Sequence, residues 1–140
     1  MAVKNTLDGS FEIATSSNIT PTTIQYAGLI NASYQSFYVK IGSMCVLYLP
    51  SITETPTASS TSTIQLTIDV ALSPKQSQMI HGFSVNDADG TQNCVLETGE
   101  GANIMILGKE STSGVPGVLN YTAPVSITRY RYIMYELYSA

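Results

Sequence analysis

The sequence predicts an all-β fold, an antiparallel β-sandwich of jelly-roll-like architecture with about eight to ten short strands. Three observations carry that expectation. Val, Ile, Thr and Tyr are plentiful while Lys, Glu and Arg are scarce, a balance that suits pleated, half-buried surfaces better than helices. Apolar residues recur with period two in several runs, and no stretch of ten residues shows a helical period. Gly, Pro, Asn and Asp clusters cut these runs at short intervals, as turns between strands do.

With 140 residues, of which 44% are hydrophobic, the chain is sized for one domain with a real core and no need of staples. Residues 1–10 are polar and read as a flexible lead-in, and residues 11–140 as a single sandwich. A first strand is expected around Phe11 to Ala14. A second follows Pro21 through Ile24, Tyr26 and Leu29. In the next run Phe37, Val39, Ile41, Cys45, Leu47 and Leu49 share one parity and are expected in the core. Gly42-Ser43 interrupts that run as either a tight turn or a bulge, and a bulge would shift the register beyond it. Pro50 to Thr63, rich in Ser, Thr and Pro, reads as a long surface loop.

Ile64, Leu66, Ile68, Val70 and Leu72 alternate with polar residues, one side core and the other wet. Met79, His81, Phe83 and Val85 alternate next. Asn86 to Gly90 is expected to turn, since Asp-Gly favours positive φ. Thr91 to Thr98 follows, with Cys94 and Leu96 inward, and Gly99-Glu100-Gly101 turns again. Ile104 to Leu107 is apolar on both faces. Ser111 to Gly117 is a loop before a short strand ending near Tyr121, and Val125 to Tyr138 is the last strand. There Tyr130, Tyr132, Met134 and Tyr138 share one face, and Ile133, Tyr135 and Leu137 the other. A sandwich strand has one face toward its own core. The surplus apolar face is therefore expected to be covered by another copy of the chain, through Tyr130, Tyr132, Met134, Tyr138, Met105 and Leu107.

Charge excludes some partners. Charged residues make up 11% of the chain and the net charge is −4, against roughly 25% charged in ordinary domains. The six cations, Lys4, Lys40, Lys75, Lys109, Arg129 and Arg131, stand singly, so no basic stripe exists for nucleic acid. The longest apolar run, Cys45 to Leu49, is too short for membrane insertion, and no signal peptide or transmembrane segment is expected.

Catalytic and metal sites are expected to be absent, as are cofactors, and the protein is read as not an enzyme. His81 is the sole histidine and falls with Met79 and Phe83 on the apolar parity, the place of a core or interface histidine. No Gly-x-Ser-x-Gly elbow accompanies it. Cys45 and Cys94 are too few for a zinc site. One disulfide is open on counting, and two buried free thiols is the preferred reading. Asn86, Asp87 and Asp89 lack the spacing and closing Glu of an EF-hand and read as a hairpin turn. Glu100 has no neighbouring second carboxylate for glycoside hydrolysis. A small hydrolase on a β scaffold is accordingly the weakest of three readings. A carbohydrate-binding module of non-viral origin, using tyrosine platforms, stands before it. Ligand-binding residues are not assigned, though the loops Pro50 to Thr63, Asn86 to Gly90 and Ser111 to Gly117 are where recognition would sit.

Tyr38-Val39-Lys40-Ile41-Gly42, followed by Met44 and Cys45, resembles a motif of viral heads. It is similar to Tyr-x-Lys-Ile/Val-Gly-x-apolar-Val in the C-terminal head domains of phage tail fibres and related trimeric virion proteins, including small virophage jelly-roll proteins. Cys45 stands where valine is usual. The Thr20 to Thr23 lead and the tyrosine-rich Ile127 to Tyr138 are similar too; no fibrous shaft is read before the domain, so the expectation is either a head cut from a longer protein or a complete small virion component. The resemblance implies a homotrimeric jelly roll on a virion, a head for attachment or a capsid decoration, binding a host receptor or glycan.

Overall fold

The computed structural model describes residues 4–5, 11–12, 19–27, 32–56, 61–121, 125–127 and 131–139. Its strands in chain order are β1 (Lys4–Asn5), β2 (Phe11–Glu12), β3 (Thr20–Ala27), β4 (Ala32–Ile41), β5 (Met44–Leu49), β6 (Ile52–Glu54) and β7 (Thr61–Ser62). After them come β8 (Ile64–Thr67), β9 (Gln78–Asp87), β10 (Gly90–Thr98), β11 (Ile104–Lys109), β12 (Leu119–Asn120), β13 (Val125–Ile127) and β14 (Arg131–Glu136). Ten of them form one antiparallel sheet in the order β14-β5-β4-β3-β8-β11-β10-β9-β13-β6. The fold is the expected all-β sandwich.

Its winding is that of a jelly roll. The tight β9–β10 hairpin pairs first, and around it β8 pairs β11, β7 pairs β12, β6 pairs β13 and β5 pairs β14. Such nesting is a two-stranded ribbon, closed at one end by a hairpin and rolled onto itself. The β3–β4 hairpin is inserted beside β5 and β8. The sheet curls so that both arms face one core. Tyr26, Leu49, Leu66 and Leu107 from one arm meet Phe83, Leu96 and Ile127 from the other around a gap of about 10 Å3. Near its C-terminal end β14 is also strapped by the segment before β9. Lys75 N donates to Glu136 O at 2.8 Å and Tyr138 N to Ser73 O at 2.8 Å.

Several expectations need correction. Gly42-Ser43 is a tight turn, with Gly42 at φ 61°. It closes the β4–β5 hairpin with Ile41 opposite Met44 and Tyr38 opposite Leu47. Cross-strand partners share a face. Tyr38 therefore belongs with Leu47 toward the core, and Phe37, Val39 and Ile41 lie on the outer face. In β9 the pairing with β10 slips between Cys94 and Val95, so that Phe83 faces Cys94 but His81 faces Val95. Gly82, at φ 94°, is the extra residue of this bulge. It breaks the parity and turns His81 outward.

Pro50 to Thr63 is not one loop. Ile52 is buried and β6 pairs β13, while β7 pairs β12, because one apolar residue suffices once a partner strand supplies the ladder. The strand from Ile64 stops at Thr67. Asp69 accepts from Ala71 N at 2.8 Å and caps a 3-10 turn over Val70–Leu72, which leaves Val70 exposed. Met105 and Leu107 are core residues, fully buried against β8, where they oppose Leu66 and Ile64. The outward side of β11 is Ile104 and Ile106 instead. Leu29 and Tyr130 lie outside the described residues.

Candidate functional site

The outer face of β4, β5 and β14 carries an unusual grid. Three cross-strand rows are fixed by register. The first is aromatic. Phe37 and Tyr48 have ring centroids 4.1 Å apart, and Tyr48 and Tyr132 5.8 Å, so three rings bridge three adjacent strands. The second row is Val39, Val46 and Met134, and the third is Ile41, Met44 and Glu136. Nine positions thus hold one charge, and Glu136 at the corner is held by Lys75 at 3.2 Å.

Burial within this face is graded. Val39 and Val46 are only 3% and 5% exposed although they point away from the core. Tyr132 and Met134, on the outermost strand of the sheet, are 59% and 56% exposed. Tyr138 leaves the grid. Its ring lies over Gly101, where an added Cβ would come within 3.2 Å of it. Of the six residues expected at an interface, the structure brings Tyr132 and Met134 together, sends Tyr138 to the β10–β11 turn, and places Met105 and Leu107 in the core. Sequence reading missed Phe37, Val39, Val46 and Tyr48. Their signal was the Gly42-Ser43 turn, since a two-residue hairpin dictates the opposite face for that half of the run.

Two further features border this layer. A notch of about 240 Å3 opens at the corner of the grid, between Met44, Met134 and Glu136 and the strap residues Pro74, Gln76 and Gln78. A wider open cleft of about 460 Å3 runs over β3 and β8, lined by Thr23, Gln25, Ser33, Thr67 and Asp69 among others. Gln25 sits opposite both Ser33 and Thr67, giving an array of amide and hydroxyl groups beside the one carboxylate of the lining, Asp69.

Several of the titratable groups are spent on structure. Asp87 accepts from Asp89 N at 2.9 Å, Gln92 Nε2 at 3.3 Å and Asn120 N at 2.8 Å, which pins β12 to the β9–β10 hairpin. His81 Nδ1 lies 2.8 Å from Glu110 Oε1 in an exposed pair. Cys45 and Cys94 are buried free thiols. Burial pushes the Cys94 thiol up to about 12, and the Cys45 thiol is raised for the same reason. Neither is poised as a nucleophile at neutral pH. Tyr34 donates to Glu54, and that bond to a carboxylate holds the phenol up at about 12. Among the described residues no cluster of three His, Cys, Asp or Glu side chains is arranged to hold a metal, and no helix is long and apolar enough to cross a membrane.

The sequence matches no protein-family model and no curated protein.

Proposed function

We propose that this chain is a non-enzymatic virion protein, a trimeric head for attachment or a capsid decoration, that self-assembles through the outer face of β4, β5 and β14. One observation carries the reading: nine grid positions on an outer sheet face include eight apolar or aromatic side chains and one charge. A face so poor in charge is suited to burial against another surface. A second copy offers the same uncharged chemistry, and C-terminal strands that display tyrosines fit the resemblance to trimeric heads. The polar cleft over β3 and β8 is the surface assigned to a host receptor or glycan, because its amide, hydroxyl and Asp69 carboxylate groups suit sugar hydroxyls. Light scattering at micromolar concentration tests the assembly, with a three-copy mass expected. A stable monomer would remove the reading's foundation.

A carbohydrate-binding module of non-viral origin is the second reading. The Phe37–Tyr48–Tyr132 ladder favours it, since aromatic faces pack on the apolar faces of sugars. The two differ on a glycan array. A monomer that binds sugar and loses binding with Tyr132→Ala supports the second, whereas a trimer whose binding tracks Gln25→Ala supports the first.

A further inference from the structure

We infer that the self-association face is keyed, the Tyr132 ring of one copy seating in the notch beside Met134 on the next. The inference rests on the self-assembly proposed for this face and deepens it by naming the contact.

The chemistry of the notch defines its occupant. Met44, Met134 and Pro74 give apolar walls, and thioethers make favourable contacts with aromatic rings. Gln76, Gln78 and Glu136 add amide and carboxylate groups that can meet a hydroxyl. The fitting guest is flat, apolar along its body and polar at its tip. The notch of about 240 Å3 is room for such a ring, since a water occupies about 30 Å3 in the liquid and a tyrosine side chain has eight heavy atoms beyond Cα.

The face displays that guest. Among the described residues the exposed aromatic side chains are Tyr132 and Tyr138, and Tyr138 is already laid over Gly101. Tyr132 cannot fill its own notch. Its ring is held beside Tyr48, in the row farthest from Glu136, and four residues of strand span about 13 Å. Knob and notch thus occupy opposite ends of one face. Knob and notch at different places on one face serve either a two-fold pair, each ring in the other copy's notch, or a head-to-tail ring when the rotation closes, and the three-copy assembly proposed for this face selects the ring.

Paired cysteines test the key. Tyr132→Cys combined with Gln78→Cys, oxidised gently, is expected to run as a covalent three-copy ring on a non-reducing gel. Each single variant is expected to give no ladder, because the native thiols are buried. Tyr132→Ala is expected to weaken assembly about thirty-fold or more, as loss of an interface anchor does, while Tyr132→Phe, which keeps the ring and loses the hydroxyl, is expected to weaken it less, with circular dichroism confirming that both variants are folded. Two results overturn the key while leaving self-assembly standing: Tyr132→Cys cross-linking to itself as efficiently as the pair does, or an assembling wild type whose double variant gives no ladder. A monomeric wild type instead removes the self-assembly reading beneath it.

Discussion

At Gly108 the backbone carries no strain, yet nothing larger fits. A Cβ there would stand 2.3 Å from Gly117 O and 2.9 Å from Pro116 Cβ. The loop before β12 returns at this point, with Lys109 N donating to Gly117 O at 2.9 Å and Gly117 N to Lys109 O at 2.7 Å. Gly108→Ala must lift the loop or strain it, at a cost of about 1–3 kcal/mol. The melting temperature should fall by roughly 3–10 °C. Gly42→Ala is the control, because its added Cβ meets nothing within 4 Å and only the positive φ is penalised. Equal melting temperatures for the two variants would show that the loop yields freely. Residue-level reading succeeded where alternation ran unbroken, as at Cys94 and Leu96, and failed at His81, one residue before a glycine. A glycine in a strand marks either a bulge or a close approach. Gly82 is the first kind and Gly108 the second, and only the pairing partner distinguishes them.

On β14 the two faces have different duties, and neighbouring residues separate them. Ile133 opposes Leu47 and is 3% exposed, whereas Met134 opposes Val46 on the outer face. Ile133→Ala removes buried methyl groups and leaves a cavity, so it should lower the stability of the single chain by about 2–4 kcal/mol. Met134→Ala should change it by less than about 1 kcal/mol while weakening self-association. Urea unfolding in dilute solution measures the first quantity and light scattering the second. If Met134→Ala destabilised the dilute chain as much as Ile133→Ala does, the outer face would be part of the fold rather than a surface for a partner. This division was legible in β14 because Tyr132, Ile133, Met134 and Tyr135 alternate without a breaker. It was not legible in β11. Ile104 to Leu107 is apolar on both parities, and only pairing with Leu66 and Ile64 on β8 decides that Met105 and Leu107 turn inward. In β4 the same ambiguity arose from the turn, where a hairpin and a bulge assign Phe37, Val39 and Ile41 to opposite faces.

Across the whole molecule the number of main strands was readable, because each turn is local chemistry, and the nesting was not. β5 meets β14 across more than eighty residues of chain, and no periodicity within a run specifies so distant a partner. The rolled architecture has a further consequence, because it buries ionisable groups that prefer to stay neutral. The Cys94 thiol is raised to about 12 by burial. Burial likewise raises Cys45 and the phenols of Tyr26, Tyr121 and Tyr135. In the unfolded chain thiols titrate near 8.5 and tyrosines near 10. Between those values and the raised ones, the unfolded state has lost protons that the folded state retains. Stability therefore falls as pH rises. Below about pH 8.5 the contribution is fully present. Above it, each buried thiol still protonated in the fold costs up to about 1.4 kcal/mol per pH unit, and the tyrosines add to the slope beyond pH 10. Melting curves between pH 7 and 11 should be flat at first and then descend with increasing steepness. Cys94→Ala should soften the onset of the descent and leave the tyrosine-driven limb in place. A melting temperature at pH 10.5 equal to that at pH 8 would mean that these groups reach solvent in the folded state, which a closed jelly-roll core does not permit.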